Sequence, residues 1–167
     1  AEMFSDFAKQ NVGNLEKVDL FKIASSCVSL FRNNTQTTID IVSQDQKESY
    51  QTMAFEKDIL RVFNNLIKNA IQSVEGIKDG KIEIIMKSTA TNHIIIFSDN
   101  GKGIPDEVRK NIFQPYFTTK SGGTGLGLAI VKNIMSEFGG EISFESSSKL
   151  GTKFILKFIR SDRENQV

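Results

Sequence analysis

One cysteine, one histidine, almost no net charge and no long apolar run set the outer limits on this 167-residue sequence. Cys27, being single, cannot close an internal disulfide, and its apolar neighbours mark a small buried side chain in a reducing compartment rather than a reactive thiol. A formal net charge of +1 supplies no broad basic field, which argues against nucleic acid as the main ligand but leaves local phosphate binding open. No stretch approaches the ~18 apolar residues needed to span a bilayer. The opening Ala1-Glu2-Met3-Phe4 has neither a basic leader region nor a cleavage site, so the expectation is a soluble, cytoplasmic chain with no membrane segment of its own. Internal repeats and low-complexity segments are also missing, which removes solenoids and disordered tails.

What is present is the composition of one globular domain: 39% apolar and 25% charged residues, in a length that builds one core plus a small appendage. Residues 1–18 mix Met3, Phe4, Phe7 and Val12 with polar residues and have too little to bury on their own. They read as the end of a helix followed by a connector, leaving 19–167 as the domain proper. From Asp19 to Arg32 the apolar residues Leu20, Ile23, Ala24, Cys27, Val28 and Phe31 recur at three and four, which predicts an amphipathic helix opening near Asp19. Two short β-rich runs follow, Thr37 to Val42 and Tyr50 to Ala54. The widest apolar stripe runs from Phe55 to Val74 and predicts a long helix closed by Gly76.

Lys81 to Ser88 and His93 to Phe97 are isoleucine-rich and predict paired central strands, joined by the turn-like Thr89-Ala90-Thr91-Asn92. Asp99 to Thr124 is long and rich in Gly, Pro, Asn, Lys and Thr, with a short helical stretch around Glu107 to Phe113, and reads as a functional loop or lid. Leu126 to Phe138 returns to helical spacing. Glu141 to Glu145 and Thr152 to Arg160 alternate as a closing hairpin, with Phe154, Leu156 and Phe158 on one face. The whole predicts an α/β sandwich: one mixed sheet with helices on a single face and a mobile lid.

Three segments carry chemistry. Asn65 and Asn69 lie one helical turn apart at the margin of the apolar stripe, so two carboxamides point together into a semi-buried cleft. A carboxamide oxygen binds a hard cation without adding charge, and its amine group donates to phosphate oxygens. Next, Asp99-Asn100-Gly101-Lys102-Gly103-Ile104-Pro105 follows a strand directly, which places a carboxylate at a strand's end beside glycines that let the main chain approach a flat ligand. An exocyclic amine suits that carboxylate. Third, Gly122-Gly123-Thr124-Gly125-Leu126-Gly127-Leu128 runs straight into a helix and offers bare backbone N–H groups at a helix N-terminus, where phosphates bind. It is neither a Walker loop, lacking Gly-Lys-Ser/Thr, nor a dinucleotide fingerprint, lacking a leading strand. Each segment alone has an ordinary alternative: a solvated helix flank, a strand-to-loop turn and a flexible hinge.

In this order the segments resemble the N, G1 and G2 boxes of histidine kinase catalytic domains, in the Bergerat-fold superfamily shared with DNA gyrase, mismatch-repair ATPases and a heat-shock chaperone. The likeness covers about Phe55 to Phe158. It rests on Asn65-Leu66-Ile67-Lys68-Asn69-Ala70, Asp99 to Ile104 and Gly123 to Leu128, and Ile112-Phe113-Gln114-Pro115-Tyr116-Phe117-Thr118-Thr119-Lys120 resembles the F box of an ATP lid. The resemblance implies ATP and Mg²⁺ as ligands, with Asn65, Asn69 and Lys120 as the catalytic set. Asn69 would coordinate Mg²⁺, Asn65 would help hold the phosphates, and Asp99 would bind the adenine amine. Gly101, Gly103 and Ile104 would shape the adenine pocket, while Thr124, Gly125, Leu126, Gly127 and Leu128 would line the phosphates. Thr152 resembles a residue that fixes adenine through water. Phe113 and Phe117 are candidate lid anchors, although two apolar residues four apart are as often simple core contacts.

One position departs from the family. Many members carry a lysine three residues beyond the Mg²⁺ asparagine, and here that residue is Gln72, so phosphate charge must be met elsewhere, with Lys120 the candidate. Gln72 and the Phe-Thr-Thr-Lys lid resemble the nitrogen-regulation sensor kinases, and Phe4-Ser5-Asp6-Phe7-Ala8 resembles the end of their dimerisation hairpin. Superfamily ATPases that hydrolyse ATP place a glutamate four residues before the Mg²⁺ asparagine as general base. Asn65 stands there instead, which favours phosphoryl transfer to a histidine over hydrolysis. The acceptor is not in this chain: His93 opens a predicted strand without the acidic residue that follows the family's acceptor, and reads as a surface strand residue. The implied partners are a dimerisation and histidine-phosphotransfer domain of the same protein and a response regulator. The implied parent is anchored in the inner membrane.

Overall fold

The computed structural model describes residues 14–33 and 35–161. A four-residue strand β1 (Glu16–Asp19) leads into helix α1 (Leu20–Arg32), followed by β2 (Thr38–Ser43), β3 (Gln51–Ala54) and the long helix α2 (Glu56–Ser73). The second half runs β4 (Lys81–Ser88), β5 (Asn92–Asp99), a 3-10 turn (Asp106–Asn111), α3 (Gly127–Glu137), β6 (Glu141–Ser147) and β7 (Gly151–Ile159). Five strands form one sheet in the order β2-β4-β5-β7-β6; β2 runs parallel to β4 and the other pairs are antiparallel, so the sheet is mixed.

Strand alternation decides which face takes the helices. Ile82, Ile84 and Met86 of β4, Ile95 and Phe97 of β5, and Phe154, Leu156 and Phe158 of β7 all face inward and are buried. The intervening residues, such as Ile85, Ile94, Ile96 and Ile155, are half-buried. Helix α2 covers the inward face with Ile59, Val62, Phe63, Leu66, Ile67 and Ala70, each large side chain contributing about 1.5–3 kcal/mol of transfer free energy. Phe63 meets Phe97 and Phe158 edge-on at ring separations of 5.2 and 6.5 Å, which fixes α2 over β5 and β7. α1 and α3 flank α2 on the same face, α1 against β2 and α3 against β6.

Capping follows the sequence. Asp19 caps α1, its Oδ1 accepting from Phe21 N at 3.0 Å and also from Tyr50 N at 3.1 Å, so one carboxylate both starts the helix and ties it to the entry of β3. The polypeptide turns out of α2 through Val74, whose N–H still reaches the Ala70 carbonyl at 3.1 Å.

Three expectations need correction. The stretch read as connector is, from Glu16, a strand paired antiparallel with β3 (Glu16 opposite Ala54, Asp19 opposite Gln51), so it joins the fold rather than leading to it. Helical structure before the lid is a 3-10 turn over Asp106–Asn111, not a helix over Glu107 to Phe113. His93 is fully buried, in phase with Ile95 and Phe97. Its ring nitrogens meet Ser88 Oγ at 2.9 Å and the Gln51 carbonyl at 3.2 Å. A carbonyl only accepts, so Nε2 carries the proton and Nδ1 accepts from the Ser88 hydroxyl. His93 is a satisfied core residue, edge-on to Tyr50 at 5.2 Å. The reading of residues 1–13 as a hairpin tail lies outside the described residues.

Candidate functional site

Asp99 ends β5 with its carboxylate buried. Oδ1 accepts from Ser73 Oγ at 2.8 Å and from Gly101 N at 2.9 Å. Loss of water raises the Asp99 carboxyl above the ordinary aspartate value, while the Gly101 N–H, the Ser73 hydroxyl, the Thr152 N–H and the Lys120 charge each pull it back down. The loop after Asp99 is pressed onto the end of α2: Lys102 N donates to Ser73 O at 3.2 Å, and a Cβ on Gly101 would collide with Ser73 Oγ, O and C. That contact, and no backbone angle, is why glycine stands at 101.

The far wall is the β6–β7 hairpin. Ile104 N donates to Ser146 Oγ at 2.8 Å, and Ser146 Oγ also pairs with Thr152 Oγ1 at 2.9 Å. Arg109 bonds the Ile104 and Ser146 carbonyls and forms an ion pair with Asp106 at 3.0 Å, binding the loop to the hairpin. Gly103 takes φ +71° where a side chain would run into the Ser147 carbonyl. Thr152 is buried beside Asp99, to which it is directly paired across β5 and β7.

Asn65 and Asn69 are both half-buried on α2. Asn65 Nδ2 donates to Arg61 O at 2.8 Å, and its Oδ1 looks at the first residue of α3, where a Cβ on Gly127 would stand 2.8 Å away. Asn69 Oδ1 accepts from Lys120 Nζ at 3.2 Å, and Gln72 Oε1 accepts from the same ammonium at 2.6 Å. Lys120 is exposed as a residue, but its ammonium is turned inward on two amides; desolvation lowers it below the ordinary lysine value and the Asp99 charge draws it partly back. The lid cation therefore feels both the α2 amides and the carboxylate at the end of β5.

The glycine-rich run leads straight into α3, as the sequence places it. Thr124 is exposed and its Oγ1 accepts weakly from Leu126 N at 3.4 Å; Leu126 is the residue before α3, and its carbonyl accepts from Ile130 N at 2.9 Å. Gly125 has φ +70° and packs against the backbone of Tyr116 and Phe117, so the lid folds back onto the α3 entrance. Leu128 is half-buried against the core, as are Phe113 and Phe117. Phe113 is 5.9 Å from Phe144, with Lys132 Nζ 5.4 Å above its ring.

Three contributors escaped the sequence reading. Ser73 had a signal, since it extends the four-residue ladder Asn65, Asn69 by one more turn along the same side of α2. Ser146 and Arg109 had none, because the bonds that join loop to hairpin, Ile104 N to Ser146 and Arg109 to Ser146 O, span 42 and 37 residues. A separate hollow of about 360 Å³, lined by Glu16, Phe55, Glu56, Lys57 and Leu60, shares no residue with this site. No group of three or more His, Cys, Asp or Glu side chains able to hold a metal ion occurs among the described residues. No helix among them is long and apolar enough to cross a membrane.

A family profile described as "Histidine kinase-, DNA gyrase B-, and HSP90-like ATPase" matches residues 54–162, more than half of the chain. The chain is 35% identical over 144 residues to the sensor histidine kinase ZraS of Salmonella typhimurium, covering 85% of this chain and 30% of that protein. It is 30% identical over 150 residues to the nitrogen regulation protein NtrY of Azorhizobium caulinodans, covering 86% of this chain and 19% of that protein. It thus spans under a third of the length of these relatives. Among solved structures, the catalytic domain of the histidine kinase ThkA superposes with a TM-score of 0.78 at 28% identity, covering 89% of this chain and 99% of that one. A match of that extent decides the family: the chain belongs to the histidine kinase-, DNA gyrase B- and HSP90-like ATPases.

Proposed function

We propose that the domain binds Mg²⁺·ATP and presents the γ-phosphate to a histidine on the dimerisation domain of its parent sensor kinase, for onward transfer to a response regulator. The observation that carries this is the position of Lys120: one ammonium links the Asn69 and Gln72 amides of α2 to the field of Asp99. The amide pair, the strand-end carboxylate and the lid therefore address one region.

Asp99 receives the exocyclic amine of adenine on a carboxylate already held by Ser73 and Gly101. Thr152, fixed by Ser146, lies where it steadies the base through water. Gly101, Gly103 and Ile104 form the wall of the base pocket. The phosphates lie along Thr124, Gly125, Leu126, Gly127 and Leu128 at the α3 entrance, where the N–H groups that open a helix and the helix dipole favour negative charge. Asn65, beside Gly127, holds a phosphate oxygen. A Mg²⁺ ion fits at Asn69 because its Oδ1 already accepts a tethered cation, the Lys120 ammonium, and a carboxamide oxygen is a hard ligand of the type Mg²⁺ takes alongside phosphate oxygens. When bound, the ion would neutralise charge on the transferred phosphoryl group. Lys120 then leaves Asn69 and Gln72 for the phosphates.

Transfer is favoured over hydrolysis because residue 65, where a water-activating glutamate would stand, is an asparagine whose amine group is engaged by Arg61 O. His93, buried with both ring nitrogens engaged, cannot be the acceptor. The rival reading is a nucleotide-binding or interaction module without catalysis. In support of transfer, ZraS is a sensor histidine kinase, and the histidine kinase ThkA has been solved in complex with the response regulator protein TrrA. On this reading the domain lies on the cytoplasmic side of a membrane-anchored parent.

The test is Mg²⁺-dependent binding of a fluorescent ATP analogue to this chain, with Asp99→Ala and Asn69→Ala as comparisons. Binding lost in both variants is expected, and equal affinity in all three proteins overturns the proposal. Mixing the chain with a separately made dimerisation domain and ATP should put acid-labile phosphate on that domain and none on this one. ATP binding without transfer would favour the rival.

A further inference from the structure

We infer that Ser73 is a positioning residue for nucleobase recognition, holding the Asp99 carboxylate in the orientation that receives the base. The inference rests on the reading above, in which Asp99 receives the exocyclic amine, and adds a residue on another element that makes this reception possible. A carboxylate at a strand end can rotate about its terminal torsion, which is broad and roughly two-fold. Here Oδ1 is engaged twice, by Ser73 Oγ at 2.8 Å from α2 and by Gly101 N at 2.9 Å from its own loop. With the Thr152 N–H of β7 as a further donor, these bonds lock the plane of the group, and an ionised carboxylate has no proton of its own to offer, so the lone pairs left over are acceptors of fixed direction. Such an acceptor attracts an amine donor and repels a carbonyl.

The geometry separates this role from general packing. Ser73 touches the loop twice, through its hydroxyl on Asp99 and through its carbonyl, which accepts from Lys102 N at 3.2 Å. Removing the hydroxyl leaves the main-chain bond. Alanine is the strongest helix former, so Ser73→Ala at the last turn of α2 does not weaken the helix itself. Ser73 also lies one turn beyond Asn69, so a single side of α2 addresses phosphate through Asn65, cation through Asn69 and base through Ser73 by way of Asp99. Among the described residues, the charged side chain whose field reaches Asp99 from another element is Lys120 of the lid.

The test measures Mg²⁺-dependent affinity of the full chain for ATP and for inorganic triphosphate, which has the phosphates without the base. It uses the wild type, Ser73→Ala, Ser73→Thr and Asp99→Asn. Ser73→Ala should bind ATP about five- to tenfold more weakly, the size of one hydrogen bond to a charged group. Its affinity for triphosphate should not change, and Ser73→Thr, which keeps the hydroxyl, should recover most of the ATP affinity. A parallel loss for ATP and triphosphate, or no rescue by threonine, would reduce Ser73 to a packing residue and overturn the inference. Wild-type ATP affinity in Ser73→Ala beside a crippled Asp99→Asn sinks the inference alone. Wild-type ATP affinity in Asp99→Asn sinks the nucleobase reading beneath it as well.

Discussion

The two ends of the candidate nucleotide site are built by opposite means. Around Asp99 the loop is held from every side: Asn100 donates through its backbone N–H and side chain to Lys81 O and Asp79 O and accepts from Lys81 N, while Lys102 N bonds Ser73 O. Ile104 N bonds Ser146, and Arg109 bolts the loop to the hairpin. The lid from Thr118 to Thr124 bonds mostly to itself, through Thr118 Oγ1 to the Lys120 backbone and Gly123 N to Lys120 O, and reaches α2 through the flexible arm of Lys120. A base is flat and invariant, so a preformed slot spends no binding energy on ordering. Phosphates change in number and partner during transfer, so the end that meets them has to move.

The largest effect should come from putting one methyl group at equivalent glycines in the two regions. At Gly101 the new Cβ would overlap the Ser73 hydroxyl and its carbonyl, backbone that cannot retreat without pulling α2 from the sheet. Gly101→Ala should cost roughly 2–3 kcal/mol, lower the melting temperature by about 4–10 °C and abolish measurable ATP binding. At Gly122, with φ +75° but nothing within 4 Å of a Cβ, alanine meets only the backbone cost of about 1 kcal/mol. ATP affinity there should fall little. Thermal melts and binding titrations on the two variants check this directly, and equal damage at both positions would erase the contrast.

How much of this the sequence disclosed follows the range of the interactions. The elements were legible because α2 and the isoleucine strands carry their periods within a single segment, and Asp19 announces its helix locally. The positions of Asp99, Asn65 and Asn69 were legible because a strand end and one helical turn place them. β1 was not, since four residues with one inward apolar side chain, Val18, become a strand only through pairing with β3, more than thirty residues on. His93 was misread although its parity with Ile95 and Phe97 puts it inside; the histidine's polarity outweighed the alternation, and the two partners that satisfy it belong to other strands. Arg109 and Ser146 are ordinary surface types until the hairpin folds over the loop.

An intermediate effect tests the adaptable end alone. Lys120→Met keeps the length of the arm and removes its charge, in a residue whose loss leaves the core untouched. The melting temperature should stay within about 2 °C, as for most surface substitutions. Affinity for Mg²⁺·ATP should fall about tenfold, the scale of one charge-assisted contact to phosphate, because Gln72 offers no second cation. The loss should be as large for inorganic triphosphate as for ATP, the reverse of the pattern at Ser73. A loss confined to ATP would place Lys120 at the base end and dissolve the division of labour.

The smallest effect near neutrality is the response to pH, and its signs differ for folding and for binding. Burial holds the Asp99 carboxyl above its unfolded value, so the ionised form carries a folding cost at neutral pH. That cost is relieved as pH falls through the raised folded value, and the contribution of Asp99 to stability therefore improves on mild acidification. Binding moves the other way, because protonation removes the charge that receives the base amine. ATP affinity should decline as pH drops toward and through the raised value, by up to about tenfold per unit below it. At the alkaline end the lowered Lys120 loses its charge below the ordinary lysine range, so ATP affinity falls there too. Titrations of the wild type against Asp99→Asn and Lys120→Met read each limb separately: the asparagine should flatten the acid limb, and the methionine the alkaline one. An acid limb that survives in Asp99→Asn belongs to the nucleotide's own phosphates, and the slot at the end of β5 would then recognise its base without charge.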